Sequence, residues 1–120
     1  MTVSKILCVD DAAADLLLIQ KLLSGTAPKV LTATGGKDAL ARAKAEKPDL
    51  IFLDIVMPDM DGFAVMRELQ KDPLTKDIPV VFVSSKSQKA DQLWAKMQGG
   101  KGFIAKPATP EAVMVELSKF

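Results

Sequence analysis

Residues 50–62 read Leu-Ile-Phe-Leu-Asp-Ile-Val-Met-Pro-Asp-Met-Asp-Gly and combine an uninterrupted apolar run with a polar turn. The run Leu50–Leu53 is apolar at consecutive positions, so both faces of a strand built from it would be apolar. Such a run is typical of a strand buried on both faces of a parallel sheet. Asp54 comes directly after it. The segment therefore predicts a central strand that ends in a carboxylate.

Four other short apolar runs repeat this pattern, and all but the last are near-continuous. They are Ile6–Val9, Val30–Ala33, Val80–Val83 and Phe103–Ala105. Longer stretches with helical spacing separate them, with apolar faces formed by Leu16, Ile19 and Leu23; Leu40 and Ala43; Phe63, Met66 and Leu69; Ala90, Leu93, Trp94 and Met97; and Val113, Leu117 and Phe120. Five repeats of strand and helix predict an α/β fold, because right-handed crossovers place helices on both faces of one parallel sheet.

Turn residues fall between the predicted elements. Gly25 and Pro28 are expected to close the first helix, and the pair Gly35-Gly36 to open the second. Asp72-Pro73 should end the third helix. Thr109-Pro110-Glu111 is a helix start with a hydroxyl cap, a proline at the first helical position and an acid in the first turn.

Composition excludes several classes of function. The chain has 120 residues, 48% of them hydrophobic, which predicts a single domain over 1–120. Its formal net charge of +1 gives no reason to expect binding to nucleic acid or to a membrane surface. It has no histidine, so a Ser-His-Asp triad and histidine-ligated metals are excluded. The single cysteine, Cys8, and the lack of a signal-peptide core or membrane-spanning run predict a cytoplasmic protein.

Polar residues follow four of the five predicted strands. They are Asp10-Asp11, Asp54, Ser84-Ser85 and Lys106-Pro107. Each pair or residue alone is an ordinary turn or helix cap. Together they are informative, because open α/β sheets bind ligands beyond the carboxyl ends of their strands.

The chemistry of this set points to Mg²⁺ and phosphate. Three neighbouring aspartates repel one another, and at least one should have a raised pKa. Mg²⁺ prefers oxygen ligands, and with Lys106 it would bring the three negative charges to about neutral. Phosphoryl transfer needs little more than a positioned nucleophile and charge neutralisation. Asp54, at the middle strand end, is the best-placed nucleophile and would form an acyl phosphate.

These residues resemble those of a known family, the response-regulator receiver domains, and in particular the single-domain chemotaxis-regulator type. The resemblance covers the whole chain and rests on four markers: Val9-Asp10-Asp11, the stretch Leu53–Gly62, Val83-Ser84 and Lys106-Pro107. It implies a flavodoxin-like, doubly wound sheet in the order 2-1-3-4-5. Asp91–Trp94 and Met97–Gly100 look like the pilus-motility and phototaxis subgroup.

The resemblance also implies roles for individual residues. Asp54 would be phosphorylated by a sensor histidine kinase or a histidine phosphotransfer domain. Asp10, Asp11, Asp54 and the backbone carbonyl of Val56 would form the Mg²⁺ site, with Asp10 acting mainly through bound water. Lys106, whose peptide bond to Pro107 is often cis in the family, would pair with the phosphoryl group.

A switch is implied as well. Ser84 would hydrogen-bond the phosphoryl group and draw in the loop after the fourth strand, and an aromatic side chain on the fifth strand would then change rotamer. Phe103 stands there, where many relatives have tyrosine, so we expect a softer or altered switch unless Phe103 is simply a core residue. Partners would meet the fourth helix, fifth strand and fifth helix, where Trp94 and Gln98 are candidates, although Trp94 also suits core packing.

The expected protein is thus a stand-alone, monomeric signalling module. It would bind a downstream partner or serve as a phosphate sink. A phosphatase of the haloacid-dehalogenase type is an alternative, but that class has a second aspartate where this chain has Val56. A flavodoxin-like flavin protein is another, but the acidic segment Asp10-Asp11 would repel a flavin phosphate, and there is no tyrosine to stack on the flavin.

Overall fold

A computed structural model describes residues 3–26 and 29–120, where strands and helices alternate. The strands are β1 (Lys5–Val9), β2 (Lys29–Ala33), β3 (Leu50–Asp54), β4 (Val80–Ser84) and β5 (Gly102–Ala105). The helices are α1 (Ala13–Leu23), α2 (Gly36–Glu46), α3 (Gly62–Lys71), α4 (Lys89–Met97) and α5 (Pro110–Leu117). Each predicted strand is present, with its ends within one residue of the predicted ends.

The described strands form one parallel sheet in the order β2-β1-β3-β4-β5, which confirms the expected fold class and strand order. β1 and β3 lie side by side, and Val9 pairs with Leu53. Asp10 comes directly after Val9, and Asp54 comes directly after Leu53. Because the two strands run in the same direction, both aspartates lie side by side at the same edge of the sheet. The register of the two strands is therefore enough to bring these two aspartates close together.

The core has two layers, one on each face of the sheet. Leu7, Leu53 and Phe82 belong to the layer that also contains buried residues of α2, α3 and α4. Alternate residues of the same strands, such as Cys8 and Phe52, belong to the layer under α1 and α5. This two-sided burial is the physical reason for the continuous apolar runs in β1, β3 and β4.

β2 departs from the expectation of burial on both faces. Val30 and Leu31 are only half-buried, whereas Ala33 at the end of the strand is buried. The cause is position, because β2 lies at the edge of the sheet, where the helical layers end.

Several of the predicted helix ends agree with the structure. Thr109 caps α5 by accepting a hydrogen bond from the Ala112 amide, and Pro110 occupies the first turn. Gly25, just after α1, has a φ of +84°, a conformation that glycine adopts without steric cost. Pro28 lies outside the described residues.

The apolar face predicted for α4 is present but is not a core face. Leu93, Trp94 and Met97 are 59%, 50% and 66% exposed, and α4 buries Ala95 instead. Trp94 packs edge-to-face on Phe63 of α3, with ring centroids 6.4 Å apart. A small buried residue lets the helix lie close to the sheet, which leaves its large apolar side chains at the surface.

A buried carboxylate joins α5 to β5. Glu116 is 6% exposed and forms an ion pair with Lys119 at 2.9 Å. The Glu116 side chain occupies the space into which a Cβ at Gly102 would project. None of the helices within residues 3–26 and 29–120 is long and apolar enough to cross a membrane.

Candidate functional site

Three carboxylates meet at the carboxyl-terminal edge of the sheet. Asp10, Asp11 and Asp54 each place one carboxylate oxygen within 4.8 Å of the others. Asp10 and Asp54 are both 5% exposed, while Asp11 is exposed to solvent. The predicted acidic cluster therefore forms, and it has one side open to a ligand.

Backbone hydrogen bonds hold the two buried carboxylates. Asp10 Oδ1 accepts a hydrogen bond of 2.9 Å from the Ala12 amide, and Asp54 Oδ1 accepts one of 2.9 Å from the Ile55 amide. The Gly62 amide donates to the Ile55 carbonyl at 2.7 Å. A Cβ at Gly62 would collide with the Asp54 carbonyl, so glycine is required where α3 begins against the end of β3.

Two aspartates of the loop between β3 and α3 accept hydrogen bonds from helix amides. Asp61 caps α3 by accepting a hydrogen bond from the Ala64 amide at 2.8 Å. Asp59 caps a different helix, because its carboxylate accepts hydrogen bonds from the amides of Gly36 and Lys37 at the start of α2. The loop that follows Asp54 is thus tied to α2 as well as to α3.

Lys106 brings its ammonium group into the acidic cluster. Nζ lies 2.8 Å from Asp10 Oδ2, 3.2 Å from Asp54 Oδ1 and 3.0 Å from Asp15 Oδ2. The lysine follows β5, its peptide bond to Pro107 is cis, and its amide donates to the Ser84 carbonyl at 2.9 Å. Lys106 therefore joins the ends of β1, β3, β4 and β5.

The electrostatics of the cluster depend on burial and on like charges. The pKa of Asp54 is raised to about 6, mainly by burial and then by the charge of Asp10, and Lys106 offsets only part of these two effects. Burial alone would lower the pKa of Lys106. Hydrogen bonds to Asp10 and Asp15 and the charge of Asp54 outweigh that effect and raise its pKa above the ordinary value. The raised pKa expected for one aspartate is thus found at Asp54.

The donor set suits a hard divalent cation. Carboxylate oxygens are the ligands that Mg²⁺ prefers, and its remaining coordination positions are usually filled by water. Two buried acids and one exposed acid, all within 4.8 Å, match that chemistry. A bound cation would offset the two causes of the raised pKa of Asp54, which are first its burial and then the charge of Asp10.

The remaining predicted residues are Ser84, Val56 and Phe103. Ser84 is 1% exposed at the end of β4, and its Oγ accepts a hydrogen bond of 3.0 Å from the Lys86 amide. The Val56 side chain is 59% exposed, two residues after Asp54. Phe103 is half-buried on β5 and pairs in register with Phe82, and it also lines a surface groove beside α4.

Asp15 is a site residue that the sequence analysis missed. It lies in the first turn of α1, and its carboxylate contacts Lys106. An acid in a first helical turn is common for dipole reasons alone, so sequence gave no reason to single it out. The expected charge balance of three aspartates against Mg²⁺ and Lys106 therefore needs correction, because the carboxylate of Asp15 also pairs with Lys106.

Comparison with known proteins agrees with this geometry. The model of the response regulator receiver domain matches residues 6–118. The chain belongs to that family. Receiver domains are signalling proteins of two-component systems rather than enzymes with an external substrate.

Two curated relatives match most of this chain but differ in their own length. Protein PilH of Pseudomonas aeruginosa is 39% identical over 111 residues, which are 92% of this chain and 92% of that protein. The response regulator PleD of Caulobacter vibrioides is 40% identical over 104 residues, which are 87% of this chain but 23% of that protein. The match therefore spans nearly the whole of PilH, but less than a quarter of PleD.

Solved structures agree with the fold. The chemotaxis protein CheY4 of Vibrio cholerae matches with a TM-score of 0.88 and 28% identity, over 98% of both chains. A response regulator from Chloroflexus aurantiacus matches with a TM-score of 0.90 at 23% identity, over 97% of this chain and 95% of that one. The second likeness concerns the fold alone.

Proposed function

We propose that this receiver domain is a phosphoacceptor whose modification at Asp54 controls binding to another protein. The donor would be a sensor histidine kinase or a histidine phosphotransfer domain, and Mg²⁺ the required cation. One observation carries the proposal: Asp54 is buried at the sheet edge beside Asp10, and the ammonium group of Lys106 contacts both carboxylates. Structural aspartates rarely stand buried beside a second carboxylate, because the repulsion is unfavourable.

The proposed reaction is an in-line displacement at phosphorus. A carboxylate oxygen of Asp54 forms the new P–O bond, while the P–N bond of the donor phosphohistidine breaks. The electron pair stays on the imidazole nitrogen, which takes a proton from solvent. The product is an aspartyl phosphate at residue 54, and its hydrolysis returns inorganic phosphate and the free carboxylate.

Lys106 and Ser84 are the groups proposed to hold the phosphoryl oxygens. Lys106 Nζ already lies 3.2 Å from Asp54 Oδ1, so a phosphoryl group on that side chain would come within its reach. Ser84 stands at the end of the neighbouring strand and offers a hydroxyl donor. We propose that Phe103 on β5, two residues before the Ala105 that pairs with Ser84, responds to movement of Ser84.

Asp10, Asp11 and Asp54, with the backbone carbonyl of Val56, are the proposed ligands of Mg²⁺. The cation would supply positive charge to offset the negative charge of the transferring group. The residues themselves position Asp54, limit the approach of water and keep Lys106 charged.

The proposed partner surface is formed by α4, β5 and α5. A groove there is lined by Leu93 and Phe103 and has Lys96, Lys101 and Lys119 around it. An exposed apolar residue surrounded by cations suits a partner segment that carries acidic residues around an apolar anchor. Trp94 and Gln98 lie on the α3 side of α4, where the Gln98 carbonyl accepts a hydrogen bond from Gln70.

We further propose that the protein acts in the cytoplasm as a stand-alone monomer in a motility or taxis pathway. Support comes from the similarity to PilH, which covers nearly all of both chains.

The test is mass spectrometry of the protein after treatment with acetyl phosphate. With Mg²⁺ we expect a mass gain of one phosphoryl group on the peptide that contains Asp54, and no gain when EDTA is present. Labelling on another residue, or labelling that is independent of divalent cation, would contradict the proposal.

A second measurement separates a switch from a phosphate sink. The emission of Trp94, the single tryptophan, and the binding of candidate partners are compared before and after labelling. A switch changes partner affinity on labelling. A sink takes up and loses the phosphoryl group without such a change.

A further inference from the structure

Lys106 has more anionic partners than phosphoryl transfer requires. Among the described residues its Nζ lies within 4.0 Å of carboxylate oxygens from Asp10, Asp15 and Asp54. Asp10 directly follows β1 and Asp54 is the last residue of the adjacent β3, so these two alone would keep the ammonium group in the cluster. Asp15 comes from outside the sheet, from the first turn of α1.

Asp15 also differs from the other two partners in burial. The Lys106 side chain is 15% exposed, and those of Asp10 and Asp54 are 8% and 6% exposed, but that of Asp15 is 42% exposed. Its ion pair therefore lies at the solvent boundary, where the contact can break without leaving a buried charge unpaired. The ion pair between Asp15 and Lys106 can therefore be replaced by another anion that binds Lys106, and the fold does not depend on it.

We infer that Asp15 is a positioning residue that competes with the phosphoryl group on Asp54 for the ammonium group of Lys106. The inference rests on the proposed function and goes beyond it by assigning a regulatory role to a residue on α1. A phosphoryl group on Asp54 adds negative charge beside Nζ, and full pairing requires Lys106 to loosen its contact with Asp15. The Asp15 carboxylate also adds a negative charge close to that group.

Two consequences follow from this competition. Asp15 weakens the hold of Lys106 on the phosphoryl group and thereby shortens its life. It also opposes the approach of an anionic donor such as acetyl phosphate. Replacing the carboxylate with an amide should slow the loss of the phosphoryl group and lower the acetyl phosphate concentration that gives half-maximal labelling.

The chain contains a closely matched control. Asp38 occupies the same position in α2 as Asp15 in α1, the third residue of the helix. Its side chain is 47% exposed and forms an ion pair with Arg42 at 3.6 Å. Asp38→Asn therefore removes the same charge from the same helical position without touching Lys106.

The experiment measures the decay of the label on wild type, Asp15→Asn, Asp15→Glu and Asp38→Asn by mass spectrometry. Mg²⁺ is set at a concentration that a titration of each protein has found to be saturating. We expect decay of Asp15→Asn to be up to about fivefold slower than wild type, the change typical of a partly exposed ion pair. Asp15→Glu and Asp38→Asn should decay as wild type does, and the difference should shrink at about 1 M salt.

The outcomes separate this inference from the proposed function. Unchanged or faster decay in Asp15→Asn, with wild type labelled on Asp54, would overturn the competition and leave the proposed function standing. Equal slowing in Asp38→Asn would show a general charge effect and would also overturn it. Wild type that takes no label contradicts the proposed function and this inference with it. Urea unfolding of each variant verifies the fold, and Asp15→Ser provides a second neutral variant.

Discussion

Two aspartates stand at opposite ends of β3 and have opposite electrostatic surroundings. Asp49 comes just before the strand, and its Oδ2 accepts hydrogen bonds from the Ser4 amide at 3.0 Å, the Ser4 hydroxyl at 2.9 Å and the Lys5 amide at 2.9 Å. These bonds, led by the one from the Ser4 amide, lower its pKa. Asp54 is the last residue of the strand, and burial followed by the charge of Asp10 raises its pKa to about 6.

The difference separates an architectural acid from a reactive one. Asp49 joins the amino-terminal ends of β1 and β3, and the hydrogen bonds from Ser4 and Lys5 stabilise its negative charge. Asp54 has one backbone donor and one ammonium group, but it shares the latter with other carboxylates. At the amino-terminal edge of the sheet, hydrogen bonds stabilise the charged form of Asp49. At the carboxyl-terminal edge, the charged form of Asp54 is unfavourable, so binding of a cation or modification of the carboxylate would stabilise it.

The largest expected effect concerns labelling by acetyl phosphate. Asp54→Asn should reduce it by at least about a hundredfold, because loss of a nucleophile costs orders of magnitude in rate. Asp49→Asn, at the other end of the same strand, should label at the wild-type rate. Mass spectrometry of the Asp54 peptide measures both. Comparable labelling of the two variants would mean that the phosphoryl group goes elsewhere.

Lys106 holds the reactive end together, so its removal should be the most destabilising of these changes. Without Mg²⁺ at pH 7.5, we expect Lys106→Met to lower the free energy of unfolding by about 3 kcal/mol, since it leaves buried carboxylates unpaired. Added Mg²⁺ should recover part of the loss.

Urea unfolding checks the Lys106 prediction, with Lys71→Met as the control. Lys71 is exposed and pairs with the exposed Glu68, so its removal leaves no buried charge unpaired and should cost less than about 1 kcal/mol. A Lys106→Met protein as stable as wild type at pH 7.5 in chelator would contradict the account of the cluster.

Asp54→Asn should stabilise the metal-free protein, because it removes an unfavourable charge. The folded pKa lies above the ordinary value of 3.8, so the folded state binds the extra proton between about pH 4 and pH 6. The cost of the Asp54 charge is therefore fully present above pH 6 and disappears as the pH falls towards 4. We expect the variant to be about 1 to 2 kcal/mol more stable at pH 7.5.

The pH dependence is the sharper part of that prediction. Urea unfolding in chelator at several pH values should show the advantage of Asp54→Asn shrinking towards zero near pH 4. A constant advantage across this range would mean that the asparagine stabilises by packing and not by removal of charge.

The smallest expected effect is at the other end of β3. Asp49→Ala should cost about 1 kcal/mol at neutral pH, the net worth of exposed hydrogen bonds. Because the folded pKa lies below the ordinary value, this contribution is present above pH 3.8 and is lost as the pH falls through the folded pKa. Wild type and variant should therefore converge in acid, the reverse of the trend at Asp54.

Much of the fold could be predicted because buried strands have a recognisable pattern of apolar residues. Strands buried on both faces must be apolar at consecutive positions, so β1, β3 and β4 were found within one residue of their true ends. β2 has a similar apolar run but is less buried than predicted. The prediction failed because an apolar run does not indicate which strand lies at the edge of a sheet. The order of the strands came from the family resemblance.

Site residues could be predicted from the sequence when they lie at the ends of strands, but not when they lie elsewhere. Asp10, Asp11, Asp54 and Lys106 lie at the carboxyl ends of strands of one parallel sheet, so the topology alone brings them together. Asp15 follows no strand, and its reach to Lys106 depends on the packing of α1 against β1. On α4, helical periodicity found the apolar face but not its exposure, because burial of Ala95 depends on how closely the helix approaches the sheet.

The fit of Glu116 over Gly102 couples these two positions. Alanine at 102 would displace the Glu116 carboxylate, which is the far end of a flexible side chain and can turn towards solvent. That movement would give up the burial of Glu116 and its ion pair with Lys119. A side chain at position 102 would therefore bring a charge to the surface beside α5 while the fold itself stays intact.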